Sequence, residues 1–186
     1  KQNIQKIATE WFPVVNLSDS LVDFSSKKIA LLLPFKTKSI DFDSLKLAKS
    51  QLKRDGYINI STDFYAGVVT AIDSAKRLGI STELEVFDTN AEPLNLKSIL
   101  LQTNFSNYDA ILGPITSQNL ELTAKYVKSD SVPVVSPFVK TKAIYPNLFQ
   151  TIPDENWMRT KLVNYVKSDT IPHQTLIIHD SKNLAT

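Results

Sequence analysis

Short apolar segments alternate with longer amphipathic segments along this chain. The first apolar segment, residues 28–33, has no period-2 alternation and ends at Pro34. This pattern predicts a strand that is buried on both faces at the centre of a parallel sheet. The proline predicts that the chain leaves the sheet there. Similar segments follow, and they predict strands at residues 83–87, 110–112, 132–135, 148–152 and 175–178.

The segments between these strands carry apolar residues at helical spacing. A capping residue, Ser61 or Thr62, precedes one of them and Gly79 follows it, which is typical of a helix with defined ends. Residues 1–27 form either a short helix or a linker whose apolar residues dock on the main domain. We predict helices at residues 43–54, at residues 62–78, from Pro93, from Thr116 or Ser117, and after Asp154.

Alternation of strands and helices predicts the α/β class, with a doubly wound parallel sheet and right-handed crossovers. Ligands of such sheets bind outside the carboxyl ends of the strands. The predicted ends lie at Pro34-Phe35, Asp88-Thr89, residues 113–117 and residues 136–140. The connector of residues 35–60 is long for a compact domain, and long loops are often functional.

Composition excludes several function classes. The net charge is +2 with no run of like charges, so neither a nucleic-acid partner nor a membrane surface is predicted. No apolar run has the length of a transmembrane segment. The chain has no cysteine, which excludes disulfides, zinc–thiolate sites and cysteine nucleophiles. Its four glycines are too far apart for a dinucleotide-binding, P-loop or nucleophile-elbow motif, and we predict no cofactor.

Residues 113–117 form the strongest candidate site. A strand end leads directly into a helix N-terminus with two hydroxyl groups, Thr116 and Ser117. Free N–H groups at such a terminus bind a carboxylate or another acceptor. The alternative is that one hydroxyl only caps its own helix. Ser136 and Thr141, on the next loop, would add donors.

Other polar residues near predicted strand ends have two interpretations. Asp88 and Asp180 lie where a general acid or base would act, or they cap turns and neighbouring N–H groups. His173 and His179 flank the last predicted strand. Ordinary hydrogen bonding is favoured for both over a metal site, because no carboxylate partners stand at a recognisable spacing.

Six stretches of the chain together resemble type I periplasmic-binding-protein domains, the fold of branched-chain amino-acid receptors of ABC transporters. In order, they are residues 29–34, 63–67, 110–117, 132–137, 148–153 and 176–180. Residues 52–67, with Asp55-Gly56-Tyr57-Ile58-Asn59-Ile60, carry a closer likeness. This stretch is similar to the receptor-like domain that follows LysM peptidoglycan-binding modules in Bacteroidetes envelope proteins.

The resemblance implies where a ligand binds. Thr116 and Ser117 match the position that holds a ligand carboxylate in amino-acid receptors of this fold. The loop after the fourth strand and an acidic residue of a second lobe hold the amine there. In this loop Phe138, Val139 and Lys140 replace small, hydroxyl-rich residues, and Lys140 opposes an amine. The predicted ligand-binding residues are Pro34, Phe35, Asp88, Thr116, Ser117, Ser136, Phe138 and Val139.

The resemblance also implies a division into lobes. Residues 1–27 are a lead-in, residues 28–151 are lobe one, and residues 152–186 are the hinge and the beginning of lobe two. Because the chain stops before lobe two is built, we expect a fragment, an incompletely ordered chain or one part of a larger protein.

The leading functional hypothesis is a secreted, non-catalytic envelope module, located in the periplasm or at the outer membrane. It would bind a small molecule or an envelope protein, with peptidoglycan bound through a separate module. The alternative is a solute-binding receptor of an ABC transporter for an amino acid or a similar small molecule. A transcriptional regulator of this fold needs a helix-turn-helix ahead of Lys28, and residues 1–27 are too short and not basic enough.

Overall fold

Five parallel strands form one sheet in the part of the chain that the structure, a computed structural model, describes: residues 22–168. The order across the sheet is β2-β1-β3-β4-β5. The predicted α/β class with a parallel, doubly wound sheet is confirmed. The strands are β1 Lys27–Leu33, β2 Thr82–Asp88, β3 Ala110–Leu112, β4 Val134–Ser136 and β5 Leu148–Gln150.

The central strand, β1, is hydrogen-bonded on both sides. All seven of its residues pair with β2, and Ile29 to Leu31 pair with β3. Residues 30–33 are 0% exposed. The prediction of a central strand buried on both faces is therefore confirmed, and the chain leaves the sheet at Pro34.

Five α-helices and two short 3₁₀ helices complete the described residues. The 3₁₀ helices are Thr37–Ser39 and Phe105–Asn107. The chain divides into two units between Ile152 and Pro153, and the last helix belongs to the second unit. There the Asp154 carboxylate accepts the N–H groups of the first helical turn. The α-helices are α1 Leu45–Arg54, α2 Gly56–Arg77, α3 Pro93–Gln102, α4 Ser117–Tyr126 and α5 Glu155–Ser168.

The helices of the first unit cover the sheet from both sides. On one side, Ala30 and Leu32 of β1 pack in a cluster with Leu96 of α3 and Leu120 of α4. On the other side, the cluster is formed by Leu31, Leu33, Ile115 and, from α2, Val68. Alternate residues of β1 thus supply both cores, which explains why its apolar run is continuous.

Some element boundaries differ from the prediction. Helix α2 begins at Gly56, not near Thr62, because the Asp55 carboxylate accepts the N–H groups of Tyr57 and Ile58 and so caps the helix earlier. Strand β5 ends at Gln150, where the prediction extended to residue 152. The predicted strand at residues 175–178, His173, His179, Asp180 and most of the lead-in lie outside the described residues.

A single carboxylate fastens the loop that follows β1. Asp88, at the end of β2, accepts the N–H groups of Lys36 at 3.1 Å, Thr37 at 2.8 Å and Asn90 at 2.9 Å. It also accepts the Thr37 hydroxyl at 2.7 Å. Burial raises the pKa of Asp88, but the hydrogen bonds together lower it by more. The pKa of Asp88 therefore lies below its ordinary value. The charged form of Asp88 therefore stabilises the folded loop.

No helix among residues 22–168 combines the length and the apolar character that crossing a bilayer requires.

Two leucines of α3 provide a test of the core. Leu96 is 0% exposed and Leu94 is 82% exposed, on the same helix. We expect Leu96→Ala to lower the free energy of unfolding by about 2–5 kcal/mol, because it removes buried methyl groups and leaves a cavity. Leu94→Ala is the matched control, with an expected change within about 0.5 kcal/mol. Urea denaturation followed by circular dichroism measures both, and equal losses would contradict this packing.

The pH dependence of stability tests the role of Asp88. A carboxyl whose pKa is lowered on folding adds stability above its unfolded pKa of about 3.9, and this stability disappears as the pH falls through the folded value. We expect the free energy of unfolding of wild type to exceed that of Asp88→Asn most above about pH 5, and the difference to shrink below about pH 4. Asp73→Asn, at an exposed position of α2, controls for removal of one carboxylate. A difference between wild type and Asp88→Asn that stays constant from pH 6 to about pH 2 would contradict the assignment.

Candidate functional site

The sheet changes direction between β1 and β3. The chain proceeds from β1 to one side into β2, and from β3 to the other side into β4 and β5. The loops after β1 and β3 therefore diverge and leave a crevice at their carboxyl ends, where ligands of open α/β sheets bind. We call residues 34–37, 113–117 and 137–141, which follow β1, β3 and β4, the three edge loops.

The second edge loop is fixed by a close backbone approach. Gly113 has φ +87°, and a Cβ atom at this position would lie 2.3 Å from the carbonyl oxygen of Leu32. Only glycine fits there. The Gly113 N–H donates to the Val135 carbonyl at 2.9 Å, and Ile115 packs under α2 in the cluster with Val68. These contacts place Thr116 and the start of α4 at the crevice.

The start of α4 offers hydrogen-bond donors. Thr116 is the N-cap residue, but its hydroxyl makes no capping hydrogen bond. Ser117 is exposed, and within residues 22–168 neither hydroxyl has a hydrogen-bond partner. The first N–H groups of a helix lack intrahelical acceptors, and no acidic side chain occupies the first turn of α4. The helix dipole adds partial positive charge, so the arrangement favours an anion or another acceptor.

Several buried polar groups near this end of the sheet lack a partner among the described residues, and one further unpartnered oxygen, of Asn147, lies just before β5. Asn119, in the first turn of α4, is 1% exposed, and neither its amide nitrogen nor its amide oxygen has a partner in the described part of the chain. Thr89 and Asn90, just after β2, and Ser61, in the first half of α2, also carry unpartnered buried oxygens. A buried polar group without a partner destabilises the fold by about 1–3 kcal/mol. Such groups therefore often mark positions that bind water or a ligand.

Aromatic rings connect the edge loops to α2. Phe35 contacts Tyr65 edge to face, with ring centroids 6.1 Å apart. Phe138 contacts Phe64 in the same way at 5.0 Å. Phe138 is 44% exposed and Tyr65 is 39% exposed, so both rings present apolar surface.

The third edge loop is closed by its own hydrogen bonds. The Ser136 hydroxyl donates to the Val139 carbonyl at 2.6 Å and accepts the Val139 N–H at 3.2 Å, and Ser136 is buried. The Thr141 hydroxyl donates to the Glu121 carboxylate of α4, and the Thr141 N–H donates to Gln150. The loop is therefore tied to α4 through Glu121.

The long connector forms its own polar groove. A cavity of about 420 Å³ is lined by Lys36, Arg54 and Asp55, together with Ser39, Ser50, Gln51 and Ile58. The Lys36 ammonium group lies 2.7 Å from the Asp55 carboxylate, and this hydrogen bond lowers the pKa of Asp55. The start of α2 is thus linked directly to the first edge loop.

The predicted site residues differ in whether their polar groups are free to bind a ligand. Thr116 and Ser117 keep open hydroxyls, whereas the Asp88 carboxylate and the Ser136 hydroxyl are engaged within their own loops. Pro34 is buried; Phe35 and Val139 are half-buried and Phe138 is exposed, all on the edge loops. Within residues 22–168 no group of three or more His, Asp or Glu side chains is placed to hold a metal ion.

Asn119, Phe64 and Tyr65 were not identified from the sequence as candidate site residues. Asn119 stands four residues before Thr123, and both are buried on the same face of α4. A polar residue at such a position is a signal that the sequence contained. Phe64 is half-buried, whereas Tyr65 contacts Phe35 and stays partly exposed.

Comparison with known proteins shows which solved structures share this fold. No protein-family model matches the chain, and no curated protein matches it. Three solved structures with significant similarity are an ABC transporter substrate-binding protein from Desulfitobacterium hafniense, the leucine-binding protein LivK from Thermotoga maritima, and an ABC transporter solute-binding protein from R. palustris in complex with benzoate. Their TM-scores are 0.52, 0.53 and 0.51, at identities of 18%, 16% and 18%.

These matches cover 77%, 76% and 68% of this chain, and 39%, 37% and 32% of the respective neighbours. The chain therefore spans less than half the length of the proteins that it resembles. Identities in this range show a shared fold and nothing more about function. The described sheet and helices have the fold of part of a type I periplasmic binding protein.

Proposed function

We propose that this chain forms one lobe of a solute-binding protein of an ABC transporter, and that the lobe binds the carboxylate of a small molecule at the start of α4. The observation that carries this proposal is the set of open donors at the crevice. The hydroxyls of Thr116 and Ser117 and the first N–H groups of α4 have no acceptor among the described residues. An anionic ligand supplies that acceptor.

The division of the chain supports the same proposal. Residues 28–151 would be lobe one, and residues 152–186 the hinge and the beginning of lobe two, with residues 1–27 as a lead-in. The boundary between the two units, at Ile152 and Pro153, agrees with this division. Two of the three solved structures named above are described as substrate- or solute-binding proteins of ABC transporters, which supports a binding role outside the cytoplasm.

A binding role also fits the chemistry of the site. Asp88 is the candidate acid or base at this edge of the sheet, and its carboxylate already accepts four hydrogen bonds from the loop after β1 and from Asn90. A group engaged in this way lacks a free lone pair directed at a substrate. We therefore propose that the chain binds its ligand without catalysis.

The envelope-module hypothesis ranks second. It would add a LysM module, peptidoglycan, a protein partner and an origin in Bacteroidetes, and the descriptions of the three structures named above mention none of these features. Binding of soluble muropeptides, measured by calorimetry, with no response to amino acids or to aromatic acids, would reverse the ranking.

Titration of the ¹⁵N-labelled chain tests the proposed site directly. We expect leucine or benzoate, added separately, to shift the backbone amide signals of Ser117, Gln118 and Asn119 in NMR spectra, because these N–H groups would donate to the ligand carboxylate. Ser117→Ala should weaken binding about tenfold, which corresponds to the loss of one hydrogen bond to a charged group.

Ser98→Ala is the matched control for this titration, because Ser98 is an exposed serine of α3. Its affinity should equal that of wild type. If neither carboxylate nor any muropeptide moves the amide signals of the first turn of α4, the proposed site is wrong.

A further inference from the structure

We propose that α1 is a docking helix for an anionic membrane surface, and that it lies in the plane of the lipid headgroups when bound. The 10 residues of α1 are too few to cross a bilayer, so the helix would bind at its surface. This inference concerns the connector after β1 and does not depend on the carboxylate site at α4.

The leucines of α1 are turned away from the body of the lobe. Leu45 is 77% exposed and Leu52 is 40% exposed, and their spacing of seven residues places them on one face of the helix. Phe42, two residues before the N-cap, is also exposed. Toward the body, α1 contributes the small Ala48, which is buried, and the polar residues that line the groove of the connector. A helix that served the fold alone would bury its leucines.

Basic side chains border this apolar face. Lys49 stands four residues after Leu45 and three before Leu52, so all three lie on the same side of the helix. Every ionisable residue of α1 is basic, and all of them are exposed: Lys46, Lys49, Lys53 and Arg54. Within residues 22–168 none of these four side chains makes an ion pair or a hydrogen bond. The helix therefore presents apolar side chains and unpaired positive charge together.

The net charge of the whole chain conceals this concentration of positive charge. Residues 36–55 contain six basic and three acidic residues, a net charge of +3, whereas the other 166 residues together carry −1. The acidic residues are Asp55, which is ion-paired, and Asp41 and Asp43, which precede the helix. The next carboxylate along the chain, that of Asp63, lies on α2. An anionic surface is therefore attracted to the connector rather than to the lobe as a whole.

The composition of this face favours a lipid bilayer over an acidic protein. Lysine is depleted in protein–protein interfaces, where an apolar anchor fills a pocket of the partner. At a membrane, lysine ammonium groups stay hydrated among the lipid phosphates, while their alkyl chains and neighbouring leucines enter the boundary with the acyl chains. Three lysines among 10 residues, beside protruding leucines, match the membrane case.

Sedimentation of the full chain with lipid vesicles tests the docking surface. We expect binding to vesicles of phosphatidylcholine and phosphatidylglycerol in equal amounts, and none to phosphatidylcholine alone. Binding should be lost in about 1 M salt, where the Debye length is about 3 Å. Leu45→Ser/Leu52→Ser and Lys46→Gln/Lys49→Gln/Lys53→Gln should each weaken binding by about tenfold or more, because each removes one of the two attractive contributions.

Two variants of α3 and α4, which pack on the other side of the sheet from α2, are the matched controls. Leu94 and Leu101 of α3 are exposed leucines with the same spacing, so Leu94→Ser/Leu101→Ser removes a comparable apolar surface. Lys97→Gln/Lys125→Gln/Lys128→Gln removes three exposed lysines. Both variants should bind the vesicles as wild type does.

A fluorescent label shows whether α1 itself reaches the lipid. The chain has no cysteine, so Leu45→Cys and, as its control, Leu94→Cys can each carry a single nitrobenzoxadiazole group. We expect anionic vesicles to raise the emission of the label at position 45 and shift it to shorter wavelength, because the label leaves water for the headgroup layer. The label at position 94 should not respond.

Absent binding to the anionic vesicles would overturn the proposal, as would binding that both α1 variants leave intact. If soluble polyglutamate shifts the α1 amide signals in NMR spectra and the vesicles do not bind, the partner is an acidic protein and the membrane assignment is wrong. None of these results alters the titration of the α4 amides by leucine or benzoate, so the proposed function is tested separately.

Discussion

Burial of β1 between two strands and two helical layers is the constraint on which the rest of this unit depends. Residues 30–33 have no exposed surface, and their backbone groups must find partners in β2 and β3 because water is absent. Pro34 has no N–H to continue this pairing, so the chain turns out of the sheet there. The crevice is the direct result: β2 and β3 flank β1 on opposite sides, and the loops at its carboxyl end have to separate.

The same constraint explains why the site is built largely from backbone and small polar groups. Gly113 lies so close to Leu32 that no side chain fits there, and the loop after β3 leads directly into the N-terminus of α4. Asp88 holds the loop after β1 by its N–H groups, so this loop is also fixed before any ligand arrives. Loops fixed in this way would lose little conformational freedom in binding a ligand, which would reduce the entropic cost of association.

Most of the sheet could be predicted because its signals are local. Continuous apolar runs that end at Pro34, Gly113-Pro114 or Pro137 mark strands whether or not their partners are known. The start of α4 was predictable for the same reason. The start of α2 was not predictable: the helix was predicted from residue 62, whereas the Asp55 side chain caps it earlier and pairs with Lys36. Two side-chain hydrogen bonds could not be predicted from the pattern of apolar and polar residues. They join Asp88 to Thr37, 51 residues apart, and Thr141 to Glu121, 20 residues apart. Such contacts depend on the tertiary fold, and they produce no periodic pattern in the sequence.

The register of the sheet also has a consequence for how the chain folds. β1 is paired with β3 from Ile29 to Leu31, and the Lys28 N–H donates to Asp109, 81 residues further along. Both contacts close a long loop before either stabilises the core, and loop closure of this kind slows folding. During synthesis, the segment of residues 27–33 therefore remains an apolar stretch without its second neighbour until residues 110–112 have left the ribosome. Until then its apolar side chains and one unpaired edge are open to non-native association.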